Sequence, residues 1–148
     1  MMMKALRVLL MGAVTLLLLA SCNSETHKYN YTFKGEGKQW AAEYVQKAST
    51  TLTERKNERP QYSSSNERIF QLKYKGKQTD LGDIKELKYS YKGTTGEGSS
   101  TIEGPVHFAD LKSGSVSNGS IEQEDAVIQV EVEWDGQKEQ FELKVPKK

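Results

Sequence analysis

Apolar and polar residues alternate strictly along several short segments of this chain. The clearest segment runs from Ile128 to Trp134, where every second residue is apolar and the residues between them are Gln or Glu. A period of two places successive side chains on opposite faces of an extended backbone, whereas a helix would need apolar residues every three or four positions. The segment therefore predicts a half-buried β-strand with one apolar face.

The same alternation recurs in residues 29–33, 40–45, 70–74, 87–91 and 141–145. Asp135-Gly136 joins the last two alternating segments, and an Asp-Gly pair in this position is a strong signal for a tight hairpin turn. We expect an all-β fold, an antiparallel β-sandwich of immunoglobulin-like architecture with seven or eight strands. An open β-barrel is the alternative. The Cys and Trp spacing of true immunoglobulin domains is absent, so the prediction concerns architecture and not kinship.

The segments between these strands are rich in Gly, Ser and charged residues. Residues 49–66, which include Pro60, are predicted to form a long hairpin extension or a mobile loop. Residues 93–104 and 113–120 are predicted to be loops, with short edge strands at 99–102 and around Val116 as the alternative. A helix is expected only briefly, in residues 80–87.

The first 22 residues differ in character from the rest of the chain. Lys4 and Arg7 precede an uncharged, mostly apolar run over residues 8–19, and the chain turns polar from Asn23 onward. This run is much shorter than the roughly 20 residues that a membrane-spanning helix needs. A short basic segment followed by such a run is typical of a secretory signal.

The apolar run ends in Leu19-Ala20-Ser21-Cys22. This motif resembles the lipobox of bacterial lipoproteins, in which small residues precede a cysteine at the cleavage site. The resemblance implies that the Cys22 thiol is joined to diacylglycerol and that a peptidase cuts before this residue. It also implies a signal peptide over 1–21, a lipidated cysteine with a short linker over 22–27 and a single β domain over 28–148. The protein is then expected on the outer face of the cell membrane.

Two further segments resemble small uncharacterised surface lipoproteins of Gram-positive bacteria. They are Gly35 to Tyr44, with the sequence GEGKQWAAEY, and Val130 to Gly136, with the sequence VEVEWDG. The resemblance supports the extracytoplasmic location and the β fold, and it implies no particular reaction.

Composition excludes several classes of function. A formal net charge of +1 does not favour a nucleic-acid binder, which would be plainly basic. One cysteine cannot form an internal disulfide, and with two histidines it cannot complete a Cys/His zinc site. We therefore predict no metal, no cofactor and no nucleic-acid partner.

Charge is divided unevenly between the two parts of the chain that follow Cys22. Residues 23–92 are basic and residues 93–148 are acidic. The possible binding surface consists of the following residues: Tyr62, Lys73, Lys75, Lys88 and Lys92. Tyr62 is included because no alternating segment contains it, and the lysines because they face away from apolar strand residues. A solvated sheet face is the competing interpretation of the lysines.

No catalytic residues are predicted. His27 lies beside the expected anchor and His107 lies in a short segment, and neither belongs to a recognisable nucleophile, phosphate or metal motif. The sequence favours a membrane-anchored extracytoplasmic lipoprotein that acts as a non-catalytic binding or accessory module for an envelope protein or wall polymer. The alternatives are an envelope enzyme or an inhibitor of a wall-active enzyme with its site on the loops, and a purely structural envelope protein.

Overall fold

The computed structural model of this protein describes residues 22–107 and 111–147. Within these residues the chain forms eight strands and one short helix, α1, over Gln78–Leu81. The strands are β1 Cys22–Glu36, β2 Trp40–Arg55, β3 Gln61–Tyr74, β4 Glu86–Lys92, β5 Glu97–Glu103, β6 Lys112–Ser117, β7 Ile128–Trp134 and β8 Gln137–Leu143.

Contacts divide the described chain into two units. The smaller unit comprises residues 22–26 and 51–63, which are the start of β1 and the hairpin end of β2 and β3. The larger unit comprises residues 27–50 and 64–147. The first three strands pass through both units.

The strands form two antiparallel sheets of four. One sheet has the order β1-β2-β3-β6 and the other has the order β5-β4-β7-β8. The predicted β-sandwich is confirmed. Its strand order differs from that of an immunoglobulin domain, because β1, β2 and β3 form a simple meander.

The core of the larger unit is built from the apolar faces of both sheets. Three aromatic contacts show how the faces meet. The Trp40 ring lies 5.7 Å from that of Trp134 in an edge-to-face arrangement, and Phe70 stacks on Tyr91 at 4.6 Å and on Tyr89 at 5.6 Å. Most of the aromatic side chains in the alternating segments are thus part of the core, where such pairs add to the free energy of burial.

One edge of the sandwich is joined by a single backbone bridge. The Lys34 N–H donates to the Lys144 carbonyl at 2.8 Å, and the Lys144 N–H donates back at 3.1 Å. Lys34 belongs to β1, whereas Lys144 follows directly after β8, so the bridge links the two sheets.

Several polar segments are more regular than expected. Residues 22–27, predicted to be a linker, are the start of β1, and residues 49–66 form the hairpin extension rather than the loop. The edge strands predicted near 99–102 and around Val116 are present as β5 and β6. The expected helix begins slightly earlier, at Gln78, and lasts one turn.

The turn between β7 and β8 has the predicted geometry. Asp135 and Gly136 have φ values of +45° and +80°, and Trp134 pairs with Gln137 across the turn. A Cβ atom at position 136 would meet no other atom within 4 Å, so only the backbone conformation disfavours a side chain there.

We expect Gly136→Ala to lower the free energy of unfolding by about 1 kcal/mol, because alanine adopts the left-handed conformation at a cost. Urea unfolding measures the change. Gly82→Ala is the matched control, since Gly82 has a helical φ of −64° and leaves room for a methyl group. Equal stability losses for both variants would contradict this interpretation of the turn.

Candidate functional site

The predicted lipidation site lies at the start of β1. Cys22 is the first residue of the strand, whereas Leu19, Ala20 and Ser21 lie outside the described residues. The backbone at Cys22 is therefore already part of the sheet, and no flexible stretch separates it from the strand.

The start of β1 lies beside the end of β2. The hydroxyl oxygens of Thr26 and Thr51 are 3.0 Å apart, which makes these residues neighbours on adjacent strands. The two strands are antiparallel, so residue numbers decrease along β1 while they increase along β2. The residue four positions before Thr26 therefore lies opposite the residue four positions after Thr51. These positions are Cys22 and Arg55, and the β2–β3 turn begins at the second of them.

The β2–β3 turn is tight. The Glu58 N–H donates to the Arg55 carbonyl at 3.1 Å, and Asn57 takes a left-handed conformation with a φ of +67°. Asn tolerates this conformation better than most residues. Within the described residues we name the start of β1 (22–26), the turn and its flanking strand ends (51–63) the tip.

Two large side chains of the tip are exposed. In β2 the even-numbered residues from Trp40 to Thr50 are buried, and Leu52 continues this series with 37% of its surface exposed. Tyr62 continues the even-numbered series of β3 that includes Asn66, and 69% of its surface is exposed. The tip therefore presents an aliphatic and an aromatic side chain to solvent.

The tip also carries three cationic side chains, Arg55, Lys56 and Arg59, and three acidic ones, Glu25, Glu54 and Glu58, so its formal charge is zero. Arg55 lies 3.6 Å from the Glu58 carboxylate, and both side chains are about half exposed. Lys56 and Arg59 are exposed and form no ion pair within 4 Å in the described part of the chain. Two cations are thus available to an external anion.

The four lysines predicted as a binding surface are divided between the sheets: Lys73, Lys75, Lys88 and Lys92. The first two lie on or just after β3, and the other two lie on β4. Lys75 forms an ion pair of 3.2 Å with Glu36, and Lys88 forms one of 2.8 Å with Glu86, which raises the pKa of Lys88. The outer faces of two packed sheets point apart, so these lysines do not form one basic patch.

Both histidines, His27 and His107, have exposed side chains. His107 is exposed, and its neighbours 108–110 lie outside the described residues. His27 lies on β1 and is also exposed. Within 22–107 and 111–147, no group of three or more His, Cys, Asp or Glu side chains could hold a metal ion.

Sequence reasoning missed a buried polar cluster around residues 120–122. The Gln46 side chain both donates to the Glu122 carbonyl at 3.0 Å and accepts from the Glu122 N–H at 2.9 Å. The Asn66 amide and the Arg68 guanidinium both donate to the Ser120 carbonyl. Side chains of β2 and β3 thereby hold the segment that leads from β6 to β7.

The Glu122 side chain continues this network into the other sheet. Its carboxylate accepts hydrogen bonds from the backbone N–H groups of Thr94 and Thr95, at 3.2 and 2.7 Å, in the β4–β5 turn. The side chain is 1% exposed, and a Cβ atom on Gly93 would lie 2.2 Å from a carboxylate oxygen. A buried carboxylate with both oxygens engaged by amides acts as a structural clamp.

Two other acidic residues clamp backbone amides in the same way. The Glu139 carboxylate accepts from the N–H groups of Gln39 and Trp40, after the β1–β2 turn. The Asp135 carboxylate accepts from the N–H groups of Lys85 and Glu86 at the start of β4. Part of the acidic character of residues 93–148 is therefore structural, which the charge pattern alone could not indicate.

An open groove of about 850 Å³ lies in the larger unit. Its lining consists of Tyr31, residues 123–127 and residues 144–147. The lining combines apolar side chains such as Tyr31 and Val145 with exposed charges of both signs, including Glu124 and Lys147. A groove of this size and mixed character can hold a short extended ligand.

Comparisons with protein-family models, with curated proteins and with solved structures found no match to this chain. Among residues 22–107 and 111–147, no helix has the length and apolar character needed to cross a membrane.

We expect Glu122→Gln to lower the free energy of unfolding by about 2 kcal/mol, because hydrogen bonds to a charged, buried acceptor are among the stronger ones. Urea unfolding of the variant measures this loss. Glu124→Gln removes an exposed carboxylate two residues away and should change stability by less than about 0.5 kcal/mol. Equal effects of the two substitutions would show that Glu122 does not clamp the turn.

The Tyr44 hydroxyl offers a pH-dependent test of the core beside this cluster. Burial raises the pKa of Tyr44 from 10.0 to about 12, against a smaller lowering by Arg68. Below pH 10 both the folded and the unfolded chain keep this proton. Above pH 10 the unfolded chain loses it first, so stability falls until the pH passes the folded pKa.

Between pH 10 and pH 12, we expect the free energy of unfolding to fall by about 2 kcal/mol less in Tyr44→Phe than in the wild-type chain. The measurement compares the change in free energy of unfolding over this interval in the variant and in the wild-type chain. Lysines titrate in the same interval in both chains, so their contribution cancels in the difference. Parallel pH profiles would contradict the raised pKa.

Proposed function

We propose that this protein is an extracytoplasmic lipoprotein, anchored to the cell membrane by diacylglycerol on Cys22, and that its β-sandwich is a non-catalytic binding or accessory module of the cell envelope. The observation that carries the proposal is the sequence of residues 1–22, in which a basic segment is followed by an apolar run and then by Leu19-Ala20-Ser21-Cys22. Two acyl chains on one residue provide stable anchoring, whereas a single chain binds only marginally.

The binding role is supported by the larger unit. The groove lined by Tyr31, residues 123–127 and residues 144–147 offers apolar contacts with charges at its margin, which suits a peptide or a wall polymer. Much of 49–66 and 113–117 is strand, and Glu122 holds the turn at 94–95.

We expect Cys22→Ser to abolish incorporation of radiolabelled palmitate and to move the protein from the membrane fraction. The full chain with its signal is expressed in a bacterial host, labelled and fractionated. The loss follows because serine has no thiol to receive the diacylglycerol.

The double variant Cys22→Ser/Ser24→Cys is the matched control. It retains one cysteine close to the original position but separates it from Leu19-Ala20-Ser21. It should behave like Cys22→Ser, since the motif directs the modification. Two results would refute the proposed anchor. One is palmitate labelling of the double variant, and the other is an unlabelled Cys22→Ser variant that stays in the membrane fraction.

A further inference from the structure

We propose that the tip is a membrane-contacting surface that rests on anionic lipid headgroups once the protein is anchored. The inference rests on the proposed lipidation of Cys22 and adds to it a second, non-covalent contact. The occupant is the bilayer that the anchor itself enters.

The first argument is proximity. The contact between the Thr26 and Thr51 hydroxyls indicates how β1 pairs with β2, and the antiparallel pairing counted from it puts Cys22 opposite Arg55. The β2–β3 turn follows immediately. An acyl anchor on Cys22 would therefore hold the turn close to the membrane surface, because Cys22 lies in β1 opposite the residue at which the turn starts.

The second argument is the chemistry of the exposed side chains. Tyr62 is 69% exposed and carries a hydroxyl on an apolar ring, a combination that is enriched at membrane–water interfaces. Leu52, the other exposed large apolar residue of the tip, adds an aliphatic side chain.

The third argument is charge. Lys56 lies in the turn and Arg59 follows it, and neither forms an ion pair within 4 Å in the described residues. Glu25, Glu54 and Glu58 balance the three cations of the tip, so the attraction comes from these two side chains and not from a net charge. Each cation near an anionic membrane surface favours contact by about fivefold, which corresponds to about 1 kcal/mol. Phosphate groups of anionic lipids are therefore the expected partners of these two side chains.

Lipid-quenched fluorescence tests the proposal on the full mature lipoprotein, reconstituted into phosphatidylcholine vesicles that contain phosphatidylglycerol and a brominated lipid. Tyr62→Trp places a fluorophore on the tip. The native Trp40 and Trp134 are 0% and 6% exposed, so the wild-type protein supplies a weakly quenched baseline. Val116→Trp is the matched control, because Val116 is 76% exposed on β6 in the larger unit.

We expect the tryptophan of Tyr62→Trp to be quenched strongly and that of Val116→Trp only weakly. Adding Lys56→Gln and Arg59→Gln to Tyr62→Trp should lower the ratio of contacting to non-contacting tips by about 25-fold, from about fivefold per cation. Lys73→Gln with Lys92→Gln removes the same charge from the larger unit and should leave this ratio unchanged.

Equal quenching of Tyr62→Trp and Val116→Trp would overturn the proposal. The tip would then face something other than the bilayer, such as solvent, a wall polymer or a second copy of the chain. If Lys73→Gln with Lys92→Gln lowered the ratio as much as Lys56→Gln with Arg59→Gln, the role of the tip cations would be overturned. Each result is obtained on protein whose lipid has been verified by mass, so it is distinguishable from failure of the anchor.

Discussion

The structure depends on the burial of one face of each of two sheets. Each sheet is apolar on its inner face only, so neither is stable in water until the other covers it. The aromatic contacts in the core, such as that between Trp40 and Trp134, show the two faces meeting across the sandwich. A shift of one residue in the pairing of β4 with β7 would turn the apolar side chains of one strand toward solvent, which fixes the observed register.

Burial of this kind leaves the turn backbones unsatisfied, and carboxylates supply the missing acceptors. Glu122, Asp135 and Glu139 each accept hydrogen bonds from two consecutive backbone N–H groups. Glu122 is itself held by Gln46 on the opposite sheet, so this clamp connects the β4–β5 turn to β2. The polar contacts thereby add specificity to a core whose apolar packing provides most of the stability.

The predictable part of the structure is the part governed by local rules. Alternation identified the core strands, and Asp135-Gly136 identified the last hairpin because both residues need positive φ values. The strand structure of 22–27 was missed because polar residues occupy both faces, so the segment shows no apolar alternation. Its contact with β2 is polar as well, between the Thr26 and Thr51 hydroxyls. The Glu122 clamp was missed because its partner Gln46 lies 76 residues away. Alternation showed that the four lysines face away from apolar residues, but it could not show that they are divided between two sheets.

A lipid anchor on Cys22 would hold the start of β1, and the tip to which it belongs, close to the membrane. The most direct measurement is the intact mass of the wild-type protein extracted from membranes of a bacterial host. We expect the mass of residues 22–148 with diacylglycerol on the first residue. A chain that retains residues 1–21, or one that is cut elsewhere and carries no lipid, would contradict the proposed anchor and the membrane contact that depends on it.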